Sequence, residues 1–181
     1  GPALQKLEDE VSALLKRWSE KKPLRFNLAY AEGFESMTSA GSIVQMEQGW
    51  FDHMKEPIRG LMFWHIMEEV EHRAVCFEAY EQAGAGYLYR LPVGLWAQMH
   101  YLGLCKRFSD AMIEADPQTI AKYEIPEYLE ANKARMSAYM KAVQPRLLAA
   151  YSPWYSPRKM KLPPQFEPAR REYSALALSV Q

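Results

Sequence analysis

Cysteine is scarce in this chain, which has only Cys76 and Cys105 among its 181 residues. Both lie inside apolar stretches with helical spacing, and two such residues do not make the disulfide framework of a small secreted domain. The cysteine content therefore predicts a reducing, cytoplasmic compartment.

An excess of charge of either sign is also missing. The 22 Lys and Arg residues balance the 22 Asp and Glu residues, so the formal net charge is zero. Because nucleic-acid binding relies on a basic field, the composition argues against a nucleic-acid partner.

Long hydrophobic runs are absent, because Arg90, Gln98, His100 and Lys106 interrupt the most apolar region. No stretch is therefore predicted to span a membrane. Peripheral membrane contact by residues 87–104 remains an open alternative.

Two common catalytic signatures are missing as well. The chain contains neither the Gly-x-Ser-x-Gly elbow of many serine hydrolases nor a glycine-rich phosphate loop. Cys76 is expected to pack as a small apolar residue rather than to act as a nucleophile.

Helical periodicity is what the sequence does contain, and no segment alternates as a strand would. Five helices are predicted, and they are punctuated by proline and glycine: 3–22, 24–48, 57–82, 87–115 and 126–151. The fold class is therefore all-α, with a bundle domain over residues 1–151. Residues 152–181, rich in proline and aromatics, are predicted to form an extended arm.

The third predicted helix carries an unusual motif, FWHIMEEVEHRAV at residues 63–75. At about 100° per residue, His65, Glu69, His72 and Cys76 share an arc of roughly 60°. Glu69 and His72 form Glu-x-x-His, whose spacing directs a carboxylate and an imidazole to one point. This pair is the helical half-site of bundle proteins that bind two irons or manganeses, where a Glu from a neighbouring helix completes each half.

The second predicted helix offers that glutamate. Glu32 and Glu35 lie one turn apart in AYAEGFESMTSAGS, and small residues follow Glu35. These small side chains either leave room for a metal and substrate or allow close helix packing. Glu35 and Glu32 are both candidates for the carboxylate that completes the half-site of Glu69 and His72. Further candidates, as ligands or as residues that hydrogen bond to ligands, are His65, Glu68 and Glu32.

FESMTS followed by WHIMEEVEHRAVCFEAYEQAGAGYLYR resembles the family of predicted metal-dependent hydrolases. Its members show a Glu-bearing helix and then a Trp-His-x-x-Glu-Glu-x-Glu-His helix, which residues 64–72 match position by position. Glu35 matches the Glu of the first helix, so the resemblance implies Glu35, Glu69 and His72 as the metal ligands. Ser36 replaces a His beside Glu35. The resemblance implies a ferritin-like bundle and a metal cofactor, expected as two divalent ions, iron first or manganese.

Family members also carry an earlier Glu helix and a QExxH-like helix, for which we find no match before Glu35. The resemblance therefore implies half of a bundle. The other half-site is expected from a separate N-terminal chain or fragment, or alternatively from a second copy of this chain.

Two functions from different classes remain open. The first is an enzyme that hydrolyses a small substrate or oxidises it with oxygen. The second is a non-catalytic helical scaffold or assembly subunit, in which Glu35, Glu69 and His72 form a buried polar network without metal.

Overall fold

Helices make up most of the described chain. The structure, a computed structural model, describes residues 1–121 and 124–179. The helices are α1 (Pro2–Lys21), α2 (Leu24–Glu47), α3 (Ile58–His72), α4 (Val75–Gln82), α5 (Tyr87–Ala115), α6 (Pro117–Ala121), α7 (Pro126–Ala149) and α8 (Phe166–Ser179), with a short 3-10 turn at Pro157–Lys159. No strand occurs in these two ranges. The all-α prediction is confirmed, whereas the ferritin-like arrangement stays a prediction.

Four of the five predicted helices agree with α1, α2, α5 and α7 to within two residues at each end. The predicted contact segment 87–104 lies inside α5. None of the described helices is long and apolar enough to cross a membrane.

The single helix predicted over residues 57–82 is wrong, because the chain breaks into α3 and α4 at Arg73. The Arg73 side chain donates to the carbonyl of Val70 (2.7 Å) and to that of Pro157 (3.2 Å). The guanidinium therefore satisfies a carbonyl at the end of α3 that would otherwise lack a partner. A partner 84 residues away in the sequence is not visible to local periodicity.

The extended conformation predicted for the arm is wrong over Phe166–Ser179, which form α8. Phe166 and Ala169 are buried against the same cluster as Ile66 and Val70 of α3. Their i, i+3 spacing, continued by Tyr173 near Phe63, is a helical apolar stripe. Residues 180 and 181 of the predicted arm lie outside the described residues.

The chain divides into two compact units whose boundaries fall inside α2, α4 and α7. The first consists of Gly1–Phe34 and Ala79–Ala138, and the second of Glu35–Glu78 and Tyr139–Gln181. The predicted domain boundary at residue 151 stays a prediction.

In the first unit, α1 packs against α5 and aromatic rings fill the space between the helices. Trp18 lies 5.1 Å from the ring of Tyr30, and Trp96 stacks on His100 at 5.3 Å. Gly33 of α2 lies against Gly94 of α5, where a Cβ on Gly33 would come within 2.6 Å of the Gly94 Cα. The glycine therefore allows the two helix backbones to touch.

In the second unit, α2 and α3 contribute most of an apolar core. Its buried members are Ile43, Met46, Phe51, Ile66, Met67, Val70, Phe166 and Ala169. Because Ile66 and Val70 occupy the core side of α3, the polar residues of the motif are left on the other sides of that helix.

Candidate metal centre

Glu35 is the most deeply buried of the three predicted ligands, with 8% of the residue exposed. Its Oε2 atom has no hydrogen-bond partner among the described residues. Burial raises the pKa of Glu35, and hydrogen bonds from the thiol and backbone N–H of Cys76 oppose that rise. A buried carboxyl oxygen without a partner is rare in folded proteins and is destabilising unless something else satisfies it.

Glu69 and His72 of α3 lie close enough to Glu35 to act on its ionisation. The charge of Glu69 raises the pKa of Glu35, and that of His72 lowers it. Glu69 is half-buried and His72 is exposed. The three predicted ligands are thus close enough for the charges of Glu69 and His72 to act on Glu35. His72, the exposed member, faces solvent.

Small side chains let α2 approach α3 at this point. Ser36, Ser39 and Ser42 are all buried, and Ser39 is completely inaccessible to solvent. The Ser39 hydroxyl donates to the backbone carbonyl of Glu69 at 3.4 Å. This hydrogen bond joins α2 to α3 next to the Glu-x-x-His pair. At Ser39, therefore, the small side chain allows close helix packing.

The remaining candidates have different surroundings. His65 is exposed on α3 and Glu68 is half-buried. Glu32 belongs to the first unit, where its carboxylate accepts from Arg90 at 2.9 Å. Both side chains of that pair are less than a tenth exposed, so Glu32 is already neutralised by a buried partner.

Sequence reasoning missed the partners of Glu32 and Glu35 on α2. Cys76 was expected to pack as an apolar residue, and instead it hydrogen bonds to Glu35 from the start of α4. Cys76 shares one side of the predicted helix with His65, Glu69 and His72, and this shared side was the sequence feature that indicated a polar role. Arg90 gave a weaker signal, as a charged residue within the apolar part of α5.

The donor set fits a divalent metal ion in chemistry but not in arrangement. Two carboxylates and an imidazole are suitable ligands for iron or manganese. The uncoordinated Oε2 of Glu35 is the kind of buried atom that a metal would satisfy. No group of three or more His, Cys, Asp or Glu side chains in residues 1–121 and 124–179 is arranged to hold a metal alone.

Comparison with known proteins gives one match. Residues 1–161 match the model of a family described as predicted metal-dependent hydrolase. No curated protein and no solved structure matches the chain.

Proposed function

Because the chain belongs to the predicted metal-dependent hydrolase family, we propose that it is a metal-dependent hydrolase whose centre is built on Glu35, Glu69 and His72. The observation that carries this proposal is the buried Oε2 of Glu35, without a partner and beside Glu69 and His72. A structural role gives no reason to bury an unsatisfied carboxyl group there.

The roles proposed for the side chains follow from their positions. Glu35 supplies a carboxylate from inside the fold, and Cys76 fixes the orientation of that carboxyl by hydrogen bonding to it. Glu69 and His72 offer their donor atoms from the more exposed α3. A divalent metal ion at this point would supply Lewis acidity, which polarises a substrate carbonyl or phosphoryl group and lowers the pKa of water.

Completion of the centre requires donors beyond these three. We propose that they come from a second polypeptide, either a separate N-terminal half or another copy of this chain. The exposure of His72 supports this, because a ligand face open to solvent is accessible to a partner. With both halves present, the site would hold two ions, as in bundle proteins with paired Glu-x-x-His motifs.

Oxygen-dependent oxidation is the second candidate reaction. The Glu-x-x-His spacing favours it, because that motif recurs in di-iron bundle proteins. A small substrate is expected in either case. The non-enzymatic alternative is a scaffold without metal. It predicts that substitution of any of the three proposed ligands leaves every measured activity unchanged.

The test uses protein isolated from its own source with its copurifying partners. Hydrolysis of aryl ester, amide and phosphate substrates is measured before and after chelation, beside oxygen consumption. We expect hydrolysis that chelation abolishes and manganese or iron restores. Glu69→Gln should lose it, whereas Glu71→Gln, a neighbouring exposed glutamate on α3, should keep it. Equal activity in both variants would contradict the proposal, and oxygen consumption without hydrolysis would favour oxidation.

A further inference from the structure

A cavity of about 390 Å³ lies within the first unit, between α1, α2 and α5. Its walls are aromatic and aliphatic, and they include Leu15, Tyr30, Phe34, Tyr101, Leu104 and Phe108. The volume falls in the range of about 300–1,000 Å³ typical of small-molecule sites, near its lower end. The cavity is therefore large enough for a small ligand.

Two polar atoms of the lining residues are paired with each other. The Tyr30 hydroxyl and His100 Nδ1 share a hydrogen bond of 2.8 Å, and the His100 ring stacks on Trp96. The surface that faces the cavity is almost entirely carbon, so it offers few partners to a polar group. A polar group placed inside would lose its water without gaining a partner.

One side of the cavity is open to solvent, where Leu15 is 45% exposed and Cys105 is also exposed. We propose that this cavity binds the alkyl chain of a small single-chain amphiphile, with the polar end at the open side. Carbon walls select the chain, and the opening lets the polar end keep its water. The cavity is lined by residues of the first unit, whereas Glu35, Glu69 and His72 belong to the second, and the proposal does not depend on the proposed hydrolase function.

The first test compares 1-decanol with 1,10-decanediol by titration calorimetry on the full chain. The diol has the same length, but one of its two hydroxyl groups must enter the carbon-lined space. We expect saturable binding of decanol and binding of the diol weaker by about tenfold or more. Absence of saturable decanol binding, or equal affinity for both compounds, would overturn the proposal.

Two substitutions on α5 form a matched pair. Leu104→Gln places an amide in the wall of the cavity, whereas Leu102→Gln changes a half-exposed leucine that is not part of the wall. Decanol affinity should fall by about tenfold in the first variant and stay unchanged in the second. Equal affinity in two folded variants would contradict the assignment.

Alkylation of wild-type protein decides the question if Leu104→Gln does not fold. Cys105 lines the cavity, and Cys76 in the second unit serves as an internal reference. We expect saturating decanol to slow modification of Cys105 by N-ethylmaleimide, measured by peptide mass spectrometry, without slowing that of Cys76. No protection, or equal protection of both thiols, would overturn the proposal.

Discussion

At the scale of the residue, α2 carries two buried glutamates one turn apart that differ in whether their carboxyl oxygens have partners. Glu32 is paired with Arg90, whereas Glu35 keeps one oxygen without a partner among the described residues. A paired buried charge is typical of a structural element, and an unsatisfied one is typical of a functional site. Substitution of each glutamate by its amide should separate the two roles.

Glu35→Gln should stabilise the metal-free protein by about 1 kcal/mol, because it removes a carboxyl group whose pKa is raised by burial. The same variant should lose the bound metal. Chemical denaturation of wild-type and variant protein, each freed of metal with a chelator, measures the free energy of unfolding. A clear loss of stability would mean that the Glu35 carboxyl serves the fold.

Glu32→Gln should destabilise the protein by about 3 kcal/mol, because it leaves the buried guanidinium of Arg90 without its counter-charge. The same denaturation experiment measures it, with exposed Glu71→Gln as the control. A neutral result would show that the other surroundings of Arg90 compensate for the lost carboxylate.

At the scale of the element, the contact between α2 and α5 depends on one glycine. A Cβ on Gly33 would lie 2.6 Å from the Cα and 2.8 Å from the carbonyl oxygen of Gly94. The nearest atoms are backbone, so they cannot move aside as a flexible side chain would. The two helices must separate locally to accept any larger residue.

Gly33→Ala should therefore lower the free energy of unfolding by about 2 kcal/mol through overpacking. Gly103→Ala is the matched control on α5, because a Cβ there meets nothing within 4 Å. Alanine at that position should stabilise the helix by about 0.5–1 kcal/mol. If both substitutions stabilise, the close approach of α2 and α5 is not a constraint.

Local periodicity was sufficient to predict those helices whose ends coincide with proline or glycine. The bounds of α5 follow from Gly86 and Pro117, and the start of α7 follows from Pro126. The division into α3 and α4 was not predictable, since it depends on hydrogen bonds from Arg73 that include a distant carbonyl. The helix α8 was obscured by proline content, although the spacing of Phe166, Ala169 and Tyr173 indicated it.

The candidate site was predictable to a similar degree. Helical spacing on α3 identified Glu69 and His72, and the resemblance to the hydrolase family identified Glu35. The pairing of Glu32 with Arg90 and the hydrogen bonds from Cys76 depend on how distant segments pack. Such contacts carry no local signature in the sequence.

At the scale of the whole molecule, family membership is shown over residues 1–161. It implies a metal cofactor without fixing its identity or number. The predicted ligands Glu35, Glu69 and His72 all belong to the second unit, whereas the apolar cavity belongs to the first. The proposed metal centre and the proposed amphiphile site therefore belong to different units of the chain.

The most direct test of the central claim is the metal content of the natively isolated protein, measured by elemental mass spectrometry. Intact-mass analysis of the same preparation identifies any companion chain or second copy. We predict iron or manganese in the wild type and in Glu71→Gln, with loss in Glu69→Gln and His72→Ala. Undiminished metal in the last two variants, or no metal in a preparation that contains the other half, would contradict the claim.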